Sequence, residues 1–389
     1  MLSKHRLMVP GPTPLPPEVS AAACLPIEDE RTHDFAGLFT RMVDNLRRVL
    51  RTRNQVLVFT SSMTGAFEGA VQNLFSPGER VLVAENGAFG RRWVDMCRAF
   101  GLDVVEHSAG WGDDLDIARV AETLAADPAI TAAICVHCET STGVVNDVEA
   151  FAAAASGVLT VVDSASGVGA CELRTDEWGV DVVVGGGQKA LMTPPGLAFA
   201  SVSPRAWRRH AEARLPRFYF DWTQTRQAYD SDIPRTPWTP AISLLVQFDQ
   251  ALRLLLEEGL DEALRRHVLL GRVARAGLQG MGLELLAPAR DRNATVTTAL
   301  MPAGIDSEEV VRRVRQDYGV QIVGGGGPLA GRVVRVGHCG YVDTLDVLAT
   351  IAALELTLHT MGAPVRPGAG AAGAVQTLTR DGELIARAS

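Results

Sequence analysis

Apolar and polar positions follow two rhythms along this chain. Short apolar runs recur at Gln55–Thr60, Arg80–Ala84, Asp103–Glu106, Ala132–His137, Ser156–Val162, Val180–Val184 and Leu197–Val202, and each reads as a buried strand. Between them lie helical spacings. In Ala36–Arg51 the residues Leu38, Met42, Leu46, Val49 and Leu50 fall on one face, and Ala66–Leu74, Phe89–Phe100 and Leu115–Ala126 read as further helices. Strands alternating with helices at this spacing predict an α/β fold: a mainly parallel, doubly wound sheet flanked by helices. The segment Arg205–Pro240 is rich in aromatics and arginine but has no long periodic run, and it reads as loops and short segments near an interface. Helices are predicted from Pro240 to Glu258 and from Leu260 to Met281. The rhythm then changes to strand Thr295–Met301, helix Ser307–Tyr318, strands Val320–Val323 and Arg332–Gly337, and helix Thr344–Met361, a compact α+β arrangement.

These readings divide the chain into four parts. Residues 1–20 form an extended arm, because Pro10, Pro12, Pro14, Pro16 and Pro17 forbid a helix. Residues 21–257 form a large domain and 258–362 a smaller α+β domain. Residues 363–389 form a Gly/Ala-rich tail, expected to be mobile. A length of 389 residues suits this plan of one large and one small domain.

Charge and cysteine content narrow the function classes. The net charge is −8 and no basic block occurs, which argues against nucleic acid as a partner. No run of about 18 apolar residues is available to span a membrane, and the N-terminus lacks the apolar stretch of a signal peptide. Six cysteines are too few for a disulfide framework in a chain this long. Cys135 and Cys138 form a CxxC, but inside an apparent strand, where residues three apart face opposite sides. No metal site is expected, and the thiols point to a reducing, cytoplasmic location.

Candidate chemistry gathers at strand ends. The run Val180–Val184 is followed by Gly185, Gly186, Gly187, Gln188 and Lys189, and Pro194–Pro195–Gly196 stops any long helix. A lysine just past a buried strand can be desolvated, which lowers its pKa toward the nucleophilic amine. The plainer alternative is a surface lysine in a Gly-rich loop. Asp163 ends the strand Ser156–Val162, and ligands in open α/β sheets sit beyond such carboxyl ends. A lysine for a covalent link and a carboxylate for a ring nitrogen are the pair that pyridoxal phosphate needs. Asp163 alone reads equally as a helix N-cap. Ser61–Gly65 joins a strand to a helix N-terminus and makes an anion site, or else a plain cap by Ser62 or Thr64. Arg335, in the alternating strand 332–337, suits bidentate recognition of a carboxylate; the alternative is a structural ion pair or an edge arginine facing solvent. No GxGxxG follows a strand into a helix, and no GxxxxGK[ST] occurs, which argues against a nicotinamide dehydrogenase.

The chain resembles the class V, fold-type I pyridoxal-phosphate enzymes, and among them the alanine–glyoxylate and serine–glyoxylate (serine–pyruvate) aminotransferases. The resemblance runs from Val9-Pro-Gly-Pro12 to about Met361. It rests on SSMTGAFE at 61–68, ENGAFGR at 85–91, ETSTG at 139–143, VVDSAS at 161–166, GQKALMTPPG at 187–196 and RVVRVG at 332–337. It implies that Lys189 carries the cofactor pyridoxal 5'-phosphate and shuttles the α-proton, and that Asp163 pairs with the pyridine nitrogen. Phe89 is implied to stack on the ring and Thr140 to lie near the ring oxygen. Ser62, Met63, Thr64 and Gln188 are implied to hold the phosphate, and Arg335 the substrate carboxylate. Met63 departs from the family's usual glycine, a change that keeps the backbone N–H. The stretch Thr236–Pro240 is similar to one that reaches the partner subunit's phosphate, through Thr236 or Thr239, which implies a homodimer with shared sites. His137 and Cys138 receive no role.

The activity so implied is ping-pong transamination from a small amino acid, alanine or serine, to glyoxylate or a similar 2-keto acid. Rivals within the fold are transaminases for 2-aminoethylphosphonate or aspartate and a cysteine desulfurase-type lyase. The lyase lacks support, because Gly324–Gly331 holds no cysteine and Gln188, not histidine, precedes the lysine.

Overall fold

The computed structural model describes residues 4–385. The first three residues of the expected arm and the last four of the expected tail lie outside the described residues. At the centre is a seven-stranded sheet. Its spatial order is Gln55–Thr60, Leu197–Val202, Val182–Gly186, Leu159–Asp163, Ile130–Val136, Arg80–Glu85 and Asp103–Ser108. The last five of these strands pair in parallel, and Leu197–Val202 runs antiparallel to both its neighbours. Thr60, Gly186, Asp163, Val136 and Glu85 therefore end their strands along one edge of the sheet. Both faces are buried. One packs Phe39, Met42, Leu46 and Phe248 from the helices His33–Val49 and Ile242–Glu258, and the other packs Phe67, Leu74 and Trp93 from Met63–Leu74 and Ala88–Ala99. Burial on both sides explains why these strands read as continuous apolar runs rather than alternations.

At Gly259, which has a positive φ of 90°, the chain leaves one long helix and enters the next, Leu260–Gly280. A three-stranded antiparallel sheet follows, in the order Val296–Leu300, Val333–Gly337, Val323–Gly324. The helices Ser307–Tyr318 and Thr344–Thr360 cover it. The expected strand over 320–323 is split. Val320–Gln321 pairs in parallel with Arg6–Leu7 of the N-terminal arm, while Val323–Gly324 joins the small sheet.

Three segments differ from the sequence expectation. The arm, expected to be extended over 1–20, turns into the helix Pro17–Ala22, because proline is tolerated at the first helical position. Instead of a mobile tail there is a helix, Ala369–Ile385, packed on Leu260–Gly280. Its glycines allow close packing. A Cβ at Gly373 would stand 2.7 Å from the Ala276 carbonyl oxygen, and one at Gly370 would stand 2.9 Å from that of Gly277. Small residues set a short interaxial distance here, so a composition that suggested disorder marks a tight helix contact. The aromatic segment 205–240 contains the helices Pro204–Glu212 and Trp222–Tyr229, capped by Ser203 and Asp221. Their apolar faces are short and mixed with aromatic rings that meet edge to face, such as Trp207 and Trp222, which hides the helical period. Among the described residues no helix is long and apolar enough to cross a membrane.

Candidate active site

The strand ends converge on a cavity of about 150 Å³ lined by Ser62, Met63, Thr64, Phe89, Asp163, Gln188 and Lys189. Lys189 sits on a tight loop closed by the Thr193 amide donating to the Gly187 carbonyl at 3.0 Å. The glycine run before it does not leave open space. The rings and side chains of Phe199, Met63 and Thr193 occupy the positions that Cβ atoms at Gly185, Gly186 and Gly187 would need. The glycines let the lysine loop lie flush against its neighbours, and Met63 is seated over Gly186. Lys189 is 8% exposed, and burial lowers its pKa; Arg335 acts in the same direction, while Cys339, Cys138 and Asp163 oppose it.

Asp163 is 2% exposed and forms no ion pair with any described residue. The Ala165 amide donates to its Oδ1 at 3.0 Å, and the Trp93 indole N–H donates to its Oδ2 at 3.1 Å. Burial pushes its pKa up to about 6 despite those two donors. A buried carboxylate with no cation is costly. A protonated ring nitrogen would supply the missing charge.

At the other end of the cavity, the helix Met63–Leu74 begins at Ser62, whose side chain makes no capping bond. The Gly65 amide donates to the Ser62 carbonyl at 2.9 Å, which leaves the N–H groups of Met63 and Thr64 at the helix start for an anion. Gln188 Oε1 is buried without a hydrogen-bond partner. Arg92 adds a positive charge 5.0 Å over the Phe89 ring. A phosphate group fits the helix start and a protonated pyridine fits Asp163. A carbonyl-bearing carbon fits between them beside Lys189. The donor set matches pyridoxal phosphate.

Thr140 and Arg335 do not line this cavity but meet beside it. Arg335 donates from Nη1 to the Thr140 carbonyl at 3.0 Å and from Nε to the Gly324 carbonyl at 2.8 Å. No carboxylate among the described residues pairs with it, so the structural ion pair is absent there. Thr236 and Thr239 lie apart, against Thr60 and Tyr219, and the Thr236 hydroxyl donates to the Trp238 carbonyl at 2.6 Å. Within one chain they do not reach the Lys189 cavity.

Arg92, Trp93, Glu139, His137 and Cys138, which have no sequence-based role, also belong here. Phe89, Arg92 and Trp93 share one face of the helix Ala88–Ala99, so the spacing from Phe89 carried a signal for both of the others. Glu139 is fully buried and accepts from the amides of Phe89 at 2.9 Å, Gly90 at 3.0 Å and Ser141 at 3.1 Å. It fixes the start of that helix and hence Phe89, and burial raises its pKa. No local pattern marks it, because its partners come from a distant helix. His137 lies behind the site, bonded through Nδ1 to Ser164 Oγ at 2.9 Å, and burial lowers its pKa to about 4. Cys138 Sγ meets Thr295 Oγ1 at 2.8 Å, and burial pushes the thiol up to about 12. Both are neutral at ordinary pH. Among the described residues no group of three His, Cys, Asp or Glu side chains is placed to hold a metal ion.

A family model described as aminotransferase class-V matches residues 10–340. The chain is 38% identical over 386 residues to a Synechococcus protein named soluble hydrogenase, small subunit, covering 97% of this chain and 100% of the relative. It is 35% identical over 382 residues to the L-aspartate–glyoxylate aminotransferase of Paracoccus denitrificans, covering 96% of each chain. It is also 35% identical over 385 residues to the serine–glyoxylate aminotransferase of Methylorubrum extorquens, covering 95% of each. The solved structure of ureidoglycine–glyoxylate aminotransferase from Bacillus subtilis is similar, with a TM-score of 0.92 at 28% identity, covering 97% of this chain and 99% of that one.

Proposed function

The chain belongs to the class-V aminotransferase family, and from that premise we propose that it moves the amino group of a small amino acid, alanine or serine, to glyoxylate or a similar 2-keto acid. It is a pyridoxal-phosphate transaminase of fold type I. When bound, the cofactor supplies a carbonyl that takes up the amino group and a ring that accepts the electrons freed at the donor's α-carbon.

The chain's own residues supply the rest. The Lys189 amine, kept toward its neutral form by burial, takes the α-proton on one side of the reaction and returns it on the other. Asp163 would keep a proton on the ring nitrogen, since it forms no ion pair with any other described residue. Phe89 holds the ring plane, with Glu139 fixing the backbone at Phe89. Ser62, Met63, Thr64 and Gln188 hold the phosphate, the first three at the helix start. Arg335, with its guanidinium tied down on one side by two carbonyls, presents its remaining donors to the substrate carboxylate. Thr140, whose carbonyl accepts from Arg335, would lie near the ring oxygen. Thr236 and Thr239 are assigned to the partner subunit's phosphate in a homodimer with shared sites; their distance from the Lys189 cavity of their own chain supports this. The cysteines of the described chain are free thiols, which supports a reducing, cytoplasmic setting.

The observation that carries the reading is the buried, uncompensated Asp163 lining the same cavity as a buried Lys189. The acceptor follows from the relatives. The two named aminotransferases and the solved neighbour share glyoxylate in their names and differ in their donors. Aspartate as the donor is the second reading, favoured by the Paracoccus relative.

A half-reaction screen separates the donors. The cofactor-loaded protein is mixed with single amino acids, and bleaching of its visible band is followed. Alanine or serine is expected to bleach it fastest, with glyoxylate restoring the colour. A fastest response to aspartate selects the second reading. Inertness to all three, with a response to 2-aminoethylphosphonate, overturns both.

A further inference from the structure

The N-terminal arm carries a motif, Val9-Pro-Gly-Pro12, that the functional account leaves unused. In the structure it runs into the site. Arg6–Leu7 extends the edge at Val320–Gln321, and the Gly337 amide donates to the Met8 carbonyl at 2.8 Å, at the end of the strand that carries Arg335. The arm then passes over the lysine. The Lys189 ε-amine donates to the Pro10 carbonyl at 2.6 Å. Downstream, the Thr13 amide donates to the Gln188 carbonyl at 3.1 Å and the Thr13 hydroxyl to the Lys189 carbonyl at 2.7 Å. The arm therefore grips both the backbone and the amine of the same residue.

Gly11 makes this possible. Its φ is +128°, in the region that favours glycine. A Cβ there would stand 2.6 Å from Lys189 Cε and 2.7 Å from Nζ, so any side chain would drive the lysine out of its groove.

Resting on the transaminase reading, we propose that Pro10 and Gly11 are positioning residues for Lys189: the Pro10 carbonyl is the berth of the ε-amine whenever that amine is not joined to the cofactor, and Gly11 keeps the berth open. The chemistry suits a proton carrier. A carbonyl only accepts, so it orients an amine N–H without competing for the nitrogen lone pair. The lone pair stays directed away from the arm, available for the α-proton. The arm also ties the amine's berth to the strand that bears Arg335, so the carboxylate-binding and proton-carrying groups share one support.

The test uses the unusual lysine content of the chain. Lys4 and Lys189 are its two lysines, and Lys4 is exposed. The full-length, cofactor-free protein is treated with trace acetic anhydride, and the ratio of Lys189 to Lys4 acetylation is read by peptide mass spectrometry. Releasing the amine from its berth in Gly11→Ala is expected to raise that ratio roughly tenfold, the upper end of what one lost hydrogen bond contributes. Unfolding of the variant, checked by circular dichroism, is not counted as a result. In that event the unmutated protein decides, by crystallography with the aminated form of the cofactor, in which the lysine is free. Nζ is then expected within about 3.2 Å of the Pro10 carbonyl oxygen. An unchanged acetylation ratio in a folded variant, or a free Nζ bonded elsewhere in that crystal structure, overturns the proposal. Failure of the unmutated protein to take up pyridoxal phosphate at all sinks the transaminase reading instead, and is seen separately as absence of colour.

Discussion

A Lys189→Ala protein is expected to lose at least about 10⁴-fold in kcat, because one group both engages the cofactor and carries the proton. No other amine can take over. Lys4 is exposed and stands at the start of the arm, outside the lining of the cavity. Cofactor binding should survive in weakened form, since the helix start at Ser62, the open Gln188 and Asp163 remain in place. The fold should survive as well. Removing the side chain deletes one hydrogen bond, from Nζ to the Pro10 carbonyl, and relieves the desolvation that lowers the amine's pKa. Stopped-flow half-reactions with the preferred donor, together with thermal unfolding, check both halves. Turnover near that of the unmutated protein, with an intact fold, would remove Lys189 from the mechanism.

Asp163→Asn is expected to lower kcat by about 10³-fold, roughly 4 kcal/mol, because a neutral amide cannot hold the ring nitrogen protonated. The same substitution should alter the cofactor-free protein in the opposite sense. The Asp163 pKa is about 6 in the folded chain against a reference of 3.8, so the folded state binds this proton more tightly than the unfolded state. Stability from this group is present below about pH 4 and is lost as pH rises toward 6, by roughly 3 kcal/mol in total. Glu139 adds to the effect and Arg92 reduces it. Thermal unfolding between pH 4 and 7 should show the stability of the unmutated cofactor-free protein falling relative to that of Asp163→Asn as the pH rises. Loading the cofactor should flatten that fall, because the ring then compensates the charge. Equal slopes for both cofactor-free proteins would mean that Asp163 is not the strained group described here.

Much of the large domain was legible because its strands are buried on both faces and read as plain apolar runs. The positions of Asp163 and Lys189 followed from that, since Asp163 is the charged residue that ends its strand and Lys189 the first charged residue past the next one. The reading of Gly185–Gly187 was right in location and incomplete in cause. A sequence shows missing side chains but not that Phe199, Met63 and Thr193 fill the gaps. The helix 369–385 was hidden for a related reason. Glycine and alanine lower the hydrophobic signal while permitting the close approach to Leu260–Gly280 that makes the helix stable. Glu139 and Trp93 were invisible as site residues because their importance lies in partners far along the chain, the amides at Phe89 and Gly90 and the carboxylate of Asp163. The Pro-rich arm read correctly as extended only up to Pro16; Pro17 opens a short helix, because proline is tolerated at the first helical position. The arm's contact with Lys189 spans 179 positions and leaves no local trace.

The most direct test of the account is hydride reduction of the cofactor-loaded protein, followed by peptide mapping. With two lysines in the chain the answer is binary. A stable cofactor adduct on the peptide containing Lys189, retained on unfolding, is the predicted result. An adduct on Lys4, or none on a protein that is nonetheless coloured and active, would contradict it.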